Sequence, residues 1–153
     1  MVASTPVRNW AGNVEFRAER VHRPTSVEQL GAIVAGARRV RVLGSGHSFN
    51  RIADTDADLI RTDGLPADVQ IDAAAGTATV AAGMRLAELS AHLHAAGFAL
   101  ANLPSLPHIS LAGTVATGTH GSGDGNRNLA ALVRAVRLVG PEGEIVEIPG
   151  GSA

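Results

Sequence analysis

The stretch Arg41-Val-Leu-Gly-Ser-Gly-His-Ser-Phe-Asn50 decides the reading of this chain. Val40, Val42 and Leu43 predict a buried strand that runs directly into Gly44-Ser45-Gly46-His47-Ser48. Small residues there expose successive backbone N–H groups around a concavity, a nest that suits a phosphate or pyrophosphate because amides carry fixed positive partial charge. The motif departs from the dinucleotide fingerprint, since Phe49 stands where a third glycine would be, and it lacks the lysine of a nucleotide-hydrolysing loop. A glycine-rich turn between elements is the plainer reading of a bare Gly-x-Gly.

Working outward, Glu19–Arg23 predicts a short strand stopped by Pro24. Ser26 as N-cap with Gln29 three residues on forms a capping box. Val27, Leu30, Ile33, Val34 and Ala37 supply the apolar face of a helix ending near Gly36–Arg38. Strand, helix and strand make a βαβ-type unit whose two strands are expected as parallel neighbours. Asp58–Arg61 reads as a further short strand. Val69–Ala73 and Thr77–Ala81 around Gly76 predict a hairpin. Gly83 precedes a helix carrying Leu86, Leu89 and Leu93, closed by Gly97 at C′. Residues 110–119 predict a short buried helix, and Leu132–Val139 with Gly143–Ile148 flank a second hairpin turn at Pro141–Gly143. The expected fold class is α+β. It comprises an N-terminal arm over 1–16 and a domain over 17–150, divided into small α/β subdomains at about 17–65 and 68–150.

Composition removes much chemistry. The 153 residues carry a net charge of −1 and are 45% hydrophobic but 3% aromatic. That length suits one domain. No basic stripe is available for nucleic acid. No apolar run reaches membrane-spanning length, and no signal-peptide pattern opens the chain, so the expected compartment is the cytoplasm. Without cysteine there are no disulfides, thiolate nucleophiles or iron–sulfur clusters. All thirteen basic residues are arginine, which removes Schiff-base lysines.

A second chemistry-bearing stretch runs from Asn102 to Gly123. Ser105, Ser110, Thr114, Thr117 and Thr119 offer hydroxyls, and Gly113, Gly118 and Gly121 let a ligand approach the backbone. The plainer alternative is a small-residue helix against a sheet, then a polar loop. Of six histidines, His22 is expected at the surface. His92 and His94 are two apart on a helix and face different directions, and no spacing requests a metal. His47, His108 and His120 fall inside the two ligand-like stretches. Arg134 and Arg137 alternate with apolar residues as in a half-exposed strand, and Trp10 is expected to anchor the arm.

At these two stretches the chain resembles the flavoprotein superfamily of vanillyl-alcohol oxidase and p-cresol methylhydroxylase. Within it the resemblance is closest to the alditol oxidases, through Asn9-Trp-Ala-Gly-Asn13, Arg20–Pro24, Gly44-Ser-Gly-His-Ser48 and Leu103–Gly123. The resemblance implies the p-cresol methylhydroxylase-type FAD-binding fold, incomplete at its C-terminus and without its substrate domain. It implies a bound FAD cradled by Val42, Leu43, Gly44, Ser45, Gly46, His47 and Ser48, with His47 joined covalently to the 8α-methyl of the isoalloxazine. Ser105, Ser110, Gly113, Thr117, Gly118, Thr119 and His120 are implied as further FAD contacts, and Ser105 also as a substrate contact. The implied reaction oxidises the terminal alcohol of a small polyol, with O2 giving H2O2, and the 153-residue chain alone is expected to be inactive. Two alternatives stay open: a gulonolactone-type oxidase of the same superfamily, and a non-catalytic nucleotide- or anion-binding module.

Overall fold

The computed structural model describes residues 6–150, so the first five residues of the expected arm, and 151–153, lie outside the described residues. Three parallel strands build the first sheet: β1 (Arg20–His22), β2 (Val40–Leu43) and β3 (Asp58–Arg61), in the order β1-β3-β2. Helix α1 (Val27–Gly36) joins β1 to β2. The two strands it connects are therefore not neighbours, against expectation, because β3 inserts between them. Burial follows from that order. In β3 both Leu59 and Ile60 are fully buried, whereas Val42 on the edge strand β2 is 55% exposed instead of buried. Only Leu43 of β2 reaches the core, packing with Leu59 and with Val14 and Phe16 of the arm. Burying each such large apolar side chain is worth about 1.5–3 kcal/mol.

Ser26 caps α1 as expected, its Oγ accepting from the Gln29 N–H at 3.2 Å. The reciprocal half of the box is shifted by one residue: Gln29 Oε1 accepts from the Thr25 N–H at 2.9 Å and from the Thr25 hydroxyl at 3.0 Å. The residue that α1 buries is Gly31, not the predicted apolar face, whose Leu30, Ile33 and Val34 are only half-buried. A Cβ on Gly31 would meet the Gly143 carbonyl oxygen at 2.7 Å, so the helix approaches the second hairpin backbone to backbone.

The hairpin β4 (Val69–Asp72) and β5 (Thr77–Val80) turns at Gly76 with φ +63°. Helix α2 (Leu86–Ala95) packs Leu89 and Leu93 with Met84 against Val69, Ile71 and Val80 of that hairpin. Gly97, at φ +80°, ends α2. The short helix α3 (Leu111–Ala116) buries Thr114. Leu129–Leu132 forms a 3-10 turn, its Ala131 N–H held by Asn128 Oδ1, so β6 begins at Ala135 and not at Leu132. β6 (Ala135–Val139) pairs with β7 (Ile145–Pro149) across Gly143 at φ +84°. No helix among the described residues is long and apolar enough to cross a membrane.

His22 is less exposed than expected. Its Nε2 lies 2.6 Å from Asp58 Oδ1, and its side chain is only 27% exposed. Asp58, buried at the start of β3, also accepts two hydrogen bonds from Arg20 at 2.7 Å each. A carboxylate out of water needs such partners. The Arg20 guanidinium and then His22 hold the Asp58 carboxyl well below its ordinary range, against burial.

Candidate functional site

The fold brings the two stretches together at one reciprocal contact. The Ser45 N–H donates to Ser110 Oγ at 3.3 Å, and the Ser110 N–H donates to Ser45 Oγ at 3.2 Å. Gly44 is required for that approach, because a Cβ there would collide with Ser110 Oγ. The turn is fixed from its other side by the arm: the Trp10 N–H donates to the Gly46 carbonyl at 2.9 Å, and Asn9 Nδ2 donates to the Ser48 carbonyl at 3.2 Å. Gly46 has φ +71°, and a Cβ on it would lie 3.2 Å from the Trp10 nitrogen. Among the described residues none accepts a hydrogen bond from the backbone N–H of Gly46, His47 or Ser48. These amides are uncommitted, while the Ser45 amide is committed to Ser110.

His47 sits between two rings. The Trp10 indole stacks on it with centroids 4.5 Å apart, and His108 meets it edge-on at 4.4 Å. The Nε2 atoms of His47 and His108 are 2.7 Å apart, and His47 Nδ1 is enclosed without a hydrogen-bond partner. Burial first, then the His108 and Arg85 charges, hold the His47 imidazole below its ordinary pKa; the Ser45 carbonyl opposes the shift without forming a hydrogen bond to Nδ1. That shift favours the neutral imidazole.

The second stretch is laid along the residues that lead into α2. Ala112 and Leu111 donate to the carbonyls of Ala82 and Met84, and Leu86 and Ala87 donate to those of Ile109 and Pro107. Arg85 Nη1 donates to the His108 carbonyl at 2.6 Å. Beyond α3, Thr117 Oγ1 donates to the Gly113 carbonyl, Gly118 takes φ +66°, and the Thr119 N–H donates to the Thr114 carbonyl. His120 Nδ1 lies 2.8 Å from the Gly121 carbonyl, which makes Nδ1 the donor and leaves Nε2 as an acceptor. Ser105 and His120 line a cavity of about 440 Å³ with Leu103, Pro104, Gly121 and Ser122.

The structure thus joins Gly44–Ser48 to Ser110, and Ser105 to His120. Ser110 is buried and spent on Ser45, and Thr117 is spent on its own helix. Val42 stands exposed beside the turn and Leu43 lies in the core. Two contributors were not singled out from the sequence as parts of the site, Arg85 and the Trp10 ring, and His108 was placed in the second stretch without a role. Neither Arg85 nor the Trp10 ring left a signal for the site in the sequence. Trp10 anchors the arm by its backbone, and the residue is 63% exposed.

Comparison with known proteins identifies the family. A family model described as an FAD binding domain matches residues 18–149. Alditol oxidase of Streptomyces sp. (strain IKD472 / FERM P-14339) is 52% identical over 151 residues, covering 97% of this chain and 36% of the relative. L-gulono-1,4-lactone dehydrogenase of Mycobacterium tuberculosis is 36% identical over 94% of the chain and 34% of its own length. The chain spans about a third of the length of these relatives. Among solved structures, xylooligosaccharide oxidase from Myceliophthora thermophila superposes with a TM-score of 0.81 at 20% identity, over 97% of this chain and 34% of that one. Chitooligosaccharide oxidase gives 0.78 at 23%, over 90% and 31%. These likenesses show the fold, the p-cresol methylhydroxylase type, and with the matched residues they place the chain in a family: it belongs to the FAD binding domain family.

Proposed function

We propose that this chain is the flavin-holding part of an oxidase that converts the terminal alcohol of a polyol to an aldehyde, with O2 as electron acceptor and H2O2 as product. The observation that carries the reading is the turn Gly44–Ser48, with its uncommitted amides of Gly46, His47 and Ser48 beside a half-buried histidine. That arrangement fits FAD. Its pyrophosphate is an anion for the amides, Gly44 and Gly46 leave no side chain in the way, and the unpartnered His47 Nδ1 is a nitrogen free for a bond to the flavin.

On this reading Val42, Leu43 and Gly44–Ser48 form the cradle and His47 carries FAD covalently. Ser110 holds the cradle through Ser45. Ser105, Gly113, Thr117, Gly118, Thr119 and His120 are the further contacts, and Ser105 also meets substrate. When bound, the flavin supplies removal of two electrons from an alcohol carbon and their transfer to O2. This chain's residues neutralise the pyrophosphate, fix its position, and present the Ser105 hydroxyl and His120 Nε2 to hydroxyl groups. The domain limits follow the same reading: an arm to residue 16, and subdomains over about 17–65 and 68–150. The 52% identity to alditol oxidase favours a polyol as substrate. The 36% identity to L-gulono-1,4-lactone dehydrogenase supports the second reading, a sugar-lactone oxidase.

Peroxide release by the full-length parent protein tests both. Saturable peroxide with xylitol or sorbitol, from a yellow protein, supports the proposal. Peroxide with L-gulono-1,4-lactone alone moves the assignment to the second reading, and a colourless protein that takes up no FAD overturns both.

A further inference from the structure

We infer that His108 is a positioning residue for His47: it accepts the hydrogen bond from His47 Nε2 and thereby keeps a bare lone pair on His47 Nδ1. The inference rests on the reading that His47 carries the flavin covalently. With Nε2 atoms 2.7 Å apart, one proton must lie between them, and there are two ways to place it. If His108 donates, the remaining proton of neutral His47 falls on Nδ1, which is enclosed and without an acceptor. If His47 donates, Nδ1 is an unfilled acceptor. An orphaned buried N–H is the costlier of the two, so the proton belongs to His47 Nε2. His108 is exposed, and as the acceptor it carries its own proton on Nδ1.

His108 is held for this task. Its carbonyl accepts from Arg85 Nη1 at 2.6 Å, and the flanking Pro107 and Ile109 carbonyls accept from Ala87 and Leu86 at 2.7 and 3.0 Å. The Trp10 ring stacks on His47 and reaches His108 at 6.0 Å between centroids, so the two imidazoles share one aromatic neighbour.

The chemical consequence lies in the attachment step. His47 Nδ1 forms a bond to the 8α-carbon, and one C–H bond of that carbon breaks. Its proton goes to solvent, and the proton on Nε2 leaves through His108. The two electrons of the C–H bond pass into the flavin ring and on to O2, which takes up two protons as H2O2. Without an acceptor at Nε2 the His47 proton moves to Nδ1, and the lone pair that forms the bond is lost.

The test uses full-length parent protein made flavin-free and reloaded with FAD in air. Covalent flavin in the acid-precipitated pellet is followed over time, and total FAD uptake is measured alongside. Nitrogen-15 NMR of histidine-labelled protein reads the His47 tautomer. His108→Phe should slow attachment at least about a hundredfold, the low end of what a lost proton acceptor costs, with FAD uptake unchanged and the Nδ1 lone-pair signature gone. His108→Gln, whose amide oxygen still accepts from Nε2, should restore most of the rate and the signature. Attachment in His108→Phe at the wild-type rate, or a wild-type spectrum with the proton on Nδ1, overturns the inference. If His108→Phe does not fold, His108→Gln attaching as slowly as a His47→Ala control overturns it. Should wild-type protein never attach FAD, the covalent reading fails, and the tautomer alone then decides whether His108 positions His47.

Discussion

Ser45 and Ser110, 65 residues apart in the chain, exchange hydrogen bonds between backbone N–H and side-chain hydroxyl in both directions. Each serine is donor through its backbone and acceptor through its side chain, so the pair fixes both position and orientation of the two stretches that surround His47. Ser110→Ala removes an acceptor and leaves the Ser45 amide unsatisfied in a part-buried place. We expect a loss of about 1–3 kcal/mol in denaturant unfolding. Ser122→Ala, on an exposed residue whose hydroxyl makes no described bond, should change stability by less than about 0.5 kcal/mol. Equal effects from the two would remove the latch role.

Gly46→Val is expected to weaken FAD retention far more than Ser122→Ala. The added Cβ lies 3.2 Å from the Trp10 nitrogen and 3.3 Å from Asn9 Cα, and φ of +71° is strained for a branched residue. The turn must shift, and its amides with it, each lost charge-assisted hydrogen bond costing about 1.5–3 kcal/mol. Flavin absorbance after gel filtration checks this, and equal occupancy in the two variants would reduce Gly44–Ser48 to a connecting turn.

Asp58→Asn should destabilise the first sheet by about 1–3 kcal/mol, read by thermal or chemical unfolding. Asparagine keeps the shape but offers Arg20 and His22 one weak acceptor in place of two charged oxygens. The larger penalty of a stranded buried charge does not apply, since Arg20 is 57% exposed.

Asp54 sets an acid limit. Burial pushes its carboxyl up, but the Arg17 amide and the Arg51 and Arg17 guanidinium groups outweigh it and bring the pKa from 3.8 down to about 2. A folded-state value below the unfolded one gives stability that is complete above about pH 4 and lost as the pH falls toward 2. Asp54→Asn should flatten the pH dependence of stability in that window; an unchanged slope would show that the arginines do not stabilise the carboxylate.

Isolated as 153 residues, the chain should release no polyol-dependent peroxide. Alcohol oxidation requires the reacting carbon to be held over the flavin, and good positioning supplies about 7–11 kcal/mol of the barrier. Among the described residues the cavity at Ser105 and His120 offers only these polar side chains and Ser122. Saturable turnover of xylitol by the isolated chain would contradict this.

Local punctuation was the legible part of the fold. Ser26, Gly76, Gly97 and Gly143 act within a few residues of themselves, and each stands where its chemistry requires. Strand order was not legible, because the insertion of β3 between β1 and β2 depends on contacts across the chain and leaves no local pattern. Val42 and His22 follow from that order. Edge placement uncovers Val42, and the arrival of Asp58 beside β1 claims His22. In the site, the glycines around His47 were readable because close backbone approach excludes side chains. The His108 partnership was not, since nothing in residues 107–109 records that Arg85 and Ala87 will aim them at a turn 61 residues earlier.

Trp10 is the single tryptophan of the 153 residues, and its ring lies against His47 while half-open to water. The indole emission of this chain therefore originates beside the imidazole on which the proposed chemistry depends. An imidazolium quenches a stacked indole, and a bound flavin absorbs where the indole emits, so protonation of His47 and loading of the site each dim the same lamp. Fluorescence lifetime and excitation transfer tell the two apart without any label being added to the protein.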